Sequence, residues 1–162
     1  MSTYDLSNAQ KLLDQFATQR VPMIGYCQAR LIEISQQRCE VMIPLSASTK
    51  NHLDCMYFGA LSVGADITGG FLAMTAIEDT QQPIELLFKD FHADFLLRAN
   101  GDTHFICQDG DLIQSMIQQT LHSGSRVNQT LSISAVVPTL SDQPVAQFKL
   151  TLSLKNKPSN PI

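Results

Sequence analysis

A chain of 162 residues has the length of one domain and can bury a core without help from metals or disulfides. Its 11 Lys and Arg against 15 Asp and Glu give a formal charge of −4 with no basic cluster, which argues against a nucleic-acid surface. The four cysteines, Cys27, Cys39, Cys55 and Cys107, are widely spaced with no CxxC pair and no grouping with His. Reduced, buried thiols of a cytoplasmic protein are therefore expected, with no metal site, and the N-terminus does not read as a secretory leader.

Residues 5–20 place Leu6, Ala9, Leu12, Leu13, Phe16 and Ala17 at helical spacing, so an amphipathic helix fills the first 20 residues and Pro22 ends it. From Met23 to Ser35 the pattern is strand-like, Gln36 and Gln37 turn the chain, and Cys39, Val41, Ile43 and Leu45 alternate in a second strand of a hairpin. Ser46 to Asp54 is a polar loop leading into an apolar helix over 56–77, which Glu78 to Pro83 closes. Leu87, Phe91, Ala93, Phe95 and Leu97 then alternate with Asp90, His92, Asp94 and Arg98 in a long strand with one oily face. Asn100-Gly101-Asp102 is a turn signal, and Thr103 to Gln108 is expected to return as the next strand.

Asp109 to His122 breaks that pattern with a helical stripe of Leu112, Ile113, Met116, Ile117 and Leu121, terminated by Gly124. Two alternating strands follow, one through Leu131, Ile133, Ala135 and Val137, the other through Ala146, Phe148, Leu150, Leu152 and Leu154. Pro138 to Pro144 connects them, and residues 156–162 read as a flexible tail. No repeat or boundary divides residues 1–162, so a single α+β domain is expected, an antiparallel sheet of about six strands wrapped around a central apolar helix.

The segment from Cys55 to Ile77 is almost uninterrupted in its apolar and small residues, and Asp66 lies close to its middle. The run is long enough to span a membrane, but Asp66 at its centre, four glycines and the absence of flanking basic clusters favour a buried helix. An isolated buried carboxylate must be paired, solvated by a cavity or used, because desolvating the charge is costly. No Lys, Arg or His lies within two helical turns of it in sequence, so any partner comes from elsewhere in the fold or from another subunit.

The run Asn51-His52-Leu53-Asp54-Cys55-Met56-Tyr57-Phe58-Gly59-Ala60 followed by Asp66 resembles the hotdog-fold acyl-CoA thioesterases of the phenylacetyl-CoA thioesterase type. Those proteins carry an Asn, then His-Gly-Gly at the start of the central helix, then an acidic residue about two turns inside it. Here Tyr57 replaces the His and Phe58 the first Gly, and the chain looks like an uncharacterised branch of that superfamily. The resemblance implies a hotdog fold, hydrolysis of acyl thioesters of coenzyme A or acyl carrier protein, no cofactor, and a homodimer open to further pairing into a dimer of dimers. It also implies a site shared between subunits, the helix start of one facing the acid of its neighbour.

In that reading Asp66 is the general base or nucleophile, the Phe58 and Gly59 amides polarise the carbonyl, and Asn51 positions water. Tyr57, His52 and Gly70 would contact substrate, and Arg126, with Lys89 and Arg98 as further candidates, would meet the phosphates. Each residue has a plainer role open to it: Asp66 as a structural carboxylate, Asn51 as a loop-fixing hydrogen bonder, Tyr57 as packing, Arg126 and His52 as surface groups. The rival function is a non-catalytic acyl or acyl-CoA binding module. A third reading, hydration of an enoyl thioester, ranks below these two. His92 and His104 are expected to be solvated, and His122 to sit in a helix's last turn.

Overall fold

The computed structural model describes residues 4–157. In chain order these are α1 (Leu6–Gln19), α2 (Pro22–Tyr26), β1 (Arg30–Ile34), β2 (Cys39–Ile43), α3 (Phe58–Thr80), β3 (Ile84–Phe95), β4 (Thr103–Cys107), α4 (Gly110–Ser123), β5 (Val127–Val137) and β6 (Ser141–Asn156). The strands form one six-stranded sheet in the order β1-β2-β4-β5-β6-β3, antiparallel throughout, against which α3 packs. This is the expected α+β architecture.

The Asp5 carboxylate accepts the Ser7 N–H and caps α1, whose Ala9, Leu13 and Ala17 are buried as the apolar stripe requires. The expected strand from Met23 to Ser35 is corrected at its start. Pro22, its φ already suited to a first helical turn, opens the short α2, and only Arg30–Ile34 is strand. Met23 and Tyr26 are exposed and Ile24 is buried, so the apolar residues there mark a helical elbow and not a pleat.

α3 runs to Thr80, past the expected end at residue 77, and stops at Gln81 in the left-handed conformation with φ 55°. By length and composition it is the one described helix that could cross a membrane, but most of it is buried against the sheet. That close approach depends on Gly64, where an added Cβ would overlap the fully buried Phe105 ring of β4. Gly64→Ala is expected to lower stability by about 1–3 kcal/mol through overpacking, measured as a shift in the urea midpoint at unchanged slope.

The turn signal at Asn100-Gly101-Asp102 does not make a hairpin. β3 pairs with β6 at one edge of the sheet, whereas β4 lies between β2 and β5. The intervening chain is held down by the Met56 N–H to the Ala99 carbonyl at 2.9 Å and by the Leu96 N–H to the Val145 carbonyl at 2.8 Å. The β5–β6 connection is also shorter than expected, since β6 resumes at Ser141 and Pro144 already pairs opposite Val136 at a register irregularity.

The expected alternation of β3 is corrected by a bulge between Phe88 and Phe91, where the Asp90 carboxylate accepts the Thr151 N–H at 3.2 Å; it leaves Leu87 on the face opposite Phe91, Ala93 and Phe95. Its apolar side chains are only partly covered: Leu87, Phe91 and Phe95 are each more than 40% exposed, as is Leu97 beyond its end. The expected tail is ordered at its beginning, because Asn156 ends β6 and the Lys157 N–H bonds the Pro83 carbonyl at 2.7 Å. The rest of that tail, 158–162, and residues 1–3 lie outside the described residues.

Candidate active site

The loop before α3 is fixed by its own hydrogen bonds. The buried Thr49 hydroxyl donates to the Pro44 carbonyl at 2.6 Å and accepts the Ser46 N–H at 2.9 Å. Asn51 accepts the Leu53 N–H at 2.8 Å through its side-chain oxygen, donates its own N–H to the Cys55 carbonyl at 2.8 Å, and turns its side-chain amide toward the Cys55 sulfur at 3.3 Å. Asn51 therefore shapes the loop, the plainer of its two expected roles. His52 is exposed on the same loop.

The Tyr57 N–H bonds the Thr49 carbonyl at 2.8 Å, so the chain enters α3 with Tyr57 extended at φ −64° and ψ 138°. No side chain caps this helix. The amides of Phe58, Gly59 and Ala60 have no partner among the described residues, as a helix's first turn leaves them, and they stand at the positive end of its dipole. The Tyr57 ring lies over Gly59, close enough that an added Cβ would overlap it. From there aromatic contacts lead to β3: Tyr57 to Phe58 at 4.7 Å between centroids and Phe58 to Phe95 at 6.1 Å.

Asp66 lies seven residues beyond Gly59, about 10 Å along the axis. It lines a cavity of about 500 Å³ enclosed by α3, the α1–α2 elbow and the first half of β3. Apolar side chains make up most of that wall, including Phe16, Ile24, Phe71 and Phe88. Asp66 has no hydrogen bond or ion pair among the described residues. Its side chain is exposed at the cavity mouth, yet the apolar surroundings desolvate the carboxylate and raise its pKa above the usual value.

Gly70 lines the same cavity one turn further on, and a Cβ there would meet only Phe88, at 3.5 Å. Met74 and Glu78 continue the line, and Arg20 stands across from them on the segment joining α1 to α2. None of Arg20, Met74 and Glu78 is among the candidate site residues that the sequence singles out. The readable signal was the spacing 66, 70, 74, 78, one residue per turn along the helix face that the sheet does not cover.

The remaining candidates lie apart from the cavity. Arg126 donates to the Ser153 hydroxyl at 2.9 Å near the start of β5, and Lys89 and Arg98 are exposed. His92 is exposed and lies 3.2 Å from Asp94. His104 departs from expectation: it is half-buried and its Nδ1 lies 2.7 Å from Glu40, which also binds Arg38, because the β2–β4 pairing brings these side chains together on the outer sheet face. His122 does occupy the last turn of α4. Among the described residues no three His, Cys, Asp or Glu are grouped to hold a metal ion.

The profile of a domain of unknown function, DUF4442, matches residues 9–154. No curated protein matches the chain. Among solved structures, a protein of unknown function from Pseudomonas aeruginosa superposes with a TM-score of 0.79 at 18% identity, covering 96% of this chain and 98% of that one. A thioesterase from Haemophilus influenzae gives 0.71 at 13% identity, with 98% and 96% covered. A thioesterase family protein from Silicibacter pomeroyi gives 0.66 at 19% identity, with 92% and 98% covered.

Proposed function

Since this chain belongs to the DUF4442 family and has the hotdog fold, we propose that it hydrolyses acyl thioesters, of coenzyme A or acyl carrier protein, in the cytoplasm. The observation that carries the proposal is Asp66, an unpaired carboxylate at the mouth of an apolar cavity, on the same helix as a first turn of unpaired amides. Asp66 takes a proton from water as the oxygen attacks the thioester carbon. The amides of Phe58 and Gly59 hold the oxyanion that forms. When the carbon–sulfur bond breaks, the proton passes from Asp66 to the thiolate, leaving a carboxylic acid and a free thiol. The raised pKa of Asp66 makes it a stronger base than an ordinary aspartate.

Acid and amides are too far apart along one helix to share a carbonyl, so the site is completed by a second copy of the chain. The two sheet edges differ in a way that supports one mode of pairing. β1 is five residues long, which limits edge pairing, whereas β3 is 12 residues long and exposes Phe91 and Phe95. Antiparallel pairing of two β3 strands about a twofold axis reverses them end for end. The Phe95 end of one copy, where Phe58 and the helix start lie, then adjoins the Leu87–Phe88 end of the other, where the Asp66 cavity lies.

A second reading, acyl binding without turnover, draws on the Tyr57 ring, which lies against Gly59 at the helix start. Purified protein is assayed for thiol release from a panel of acyl-CoA esters, alongside native mass spectrometry for retained ligand. Turnover supports the hydrolase; retained acyl-CoA without thiol release supports the binder. Sedimentation is expected to give the mass of two chains, and a single-chain mass would remove the shared site.

A further inference from the structure

Four α3 residues, Asp66, Gly70, Met74 and Glu78, line the cavity at successive turns, and the wall opposite them is apolar until Arg20. Given the hydrolase reading of Asp66 as the reacting end, we infer that the cavity is a length ruler for a linear saturated acyl chain, which lies along α3 from Asp66 toward the helix C-terminus beneath the α1–α2 elbow. Its length follows from geometry. Twelve residues of helix span about 18 Å, and an extended chain advances about 1.2 Å per bond on the peptide scale of three bonds per residue. On the same scale the ruler holds about 15 bonds of chain.

Both ends are set by chemistry. At the near end Asp66 and the mouth of the cavity meet water. At the far end Arg20 and Glu78 are exposed polar groups, and a terminal methyl that passes between them returns to solvent and gains nothing further by burial. Between them the path is open because residue 70 is glycine: the only atom close to its missing Cβ is on Phe88, at 3.5 Å. Met74, half-buried and unbranched, lies one turn deeper and can move aside for a chain. A branched or aromatic side chain at either position obstructs the path at a depth set by the helix rise: about 5 bonds from Asp66 at residue 70 and about 10 at residue 74.

The test separates chain recognition from turnover. Binding of saturated acyl-CoA esters of about 4 to 20 carbons, a panel that runs past the expected plateau, is measured by calorimetry on Asp66→Asn, which does not consume them, with and without Gly70→Val or Met74→Phe. Affinity is expected to rise about fourfold per methylene and to level off near about 15 carbons, with the plateau moved to about 5 carbons by Gly70→Val and about 10 by Met74→Phe. Melting temperatures identify any variant that fails to fold, and either one alone suffices if the other is lost. Affinity independent of chain length, or plateaus that the substitutions leave unmoved, overturns the ruler. If the plateaus move as stated while the wild-type protein releases no thiol, the ruler stands and the hydrolase reading falls. Thiol release with no length dependence has the opposite meaning.

Discussion

Asp66→Asn is expected to lower thioester hydrolysis by about 10²- to 10⁴-fold, the usual contribution of a general base, without unfolding the protein. Asn keeps the shape of the side chain and removes its capacity to accept a proton from water. Because the base acts only when ionised, wild-type turnover rises with pH through the pKa of Asp66, and its midpoint lies above the ordinary carboxylate range. The same shift has a stability consequence of opposite sign. Between the unfolded and folded pKa values the native state holds more protons, so Asp66 makes stability fall as pH rises through that window. The Asn variant is free of that penalty, and at neutral pH its melting temperature should equal or exceed that of the wild type. An equal turnover rate in the two proteins would end the catalytic assignment, and a variant that melts far lower would make Asp66 a structural group.

Two inactive variants are expected to restore each other. Phe58 is the first residue of α3, preceded by an extended Tyr57, so Phe58→Pro fits the backbone while removing the amide hydrogen. Loss of one oxyanion donor costs about 10²- to 10³-fold in rate, and Phe58→Ala, which loses the ring and keeps the amide, separates the two contributions. When Phe58→Pro and Asp66→Asn homodimers are mixed and allowed to exchange, half of the dimers combine one chain of each. In every such dimer one site receives both intact parts and the other receives neither, so turnover recovers to about a quarter of wild type. No recovery after verified exchange would place the acid and the amides in one chain, in conflict with their separation along α3.

The local rules were sufficient wherever one element decides its own fate. The stripe Ala9, Leu13 and Ala17, the αL stop at Gly124 and the apolar run of α3 each carry their signal within a few turns, and each formed as expected apart from the bounds of α3, Phe58–Thr80 in place of 56–77. The errors share a different cause. The Asn100-Gly101-Asp102 turn is real as a reversal, yet β3 and β4 part because β6 and β5 offer pairing partners more than 25 residues away in sequence. His104 was read as solvated because its partner Glu40 lies 64 residues away and meets it only across the β2–β4 pairing.

For the site, composition and spacing were enough to single out Asp66, since a lone carboxylate in an apolar helix is conspicuous without coordinates, and enough to mark the helix start at Phe58 and Gly59. Tertiary structure alone decided that Asp66 opens into a cavity and that Arg20 and the start of β3 complete its wall. It also decided that Phe91 and Phe95 of β3 lie exposed at a sheet edge. The physical reason is that periodicity reports which residues of an element want to leave water. Which other element receives them, or whether any does, depends on pairings between residues far apart in the chain.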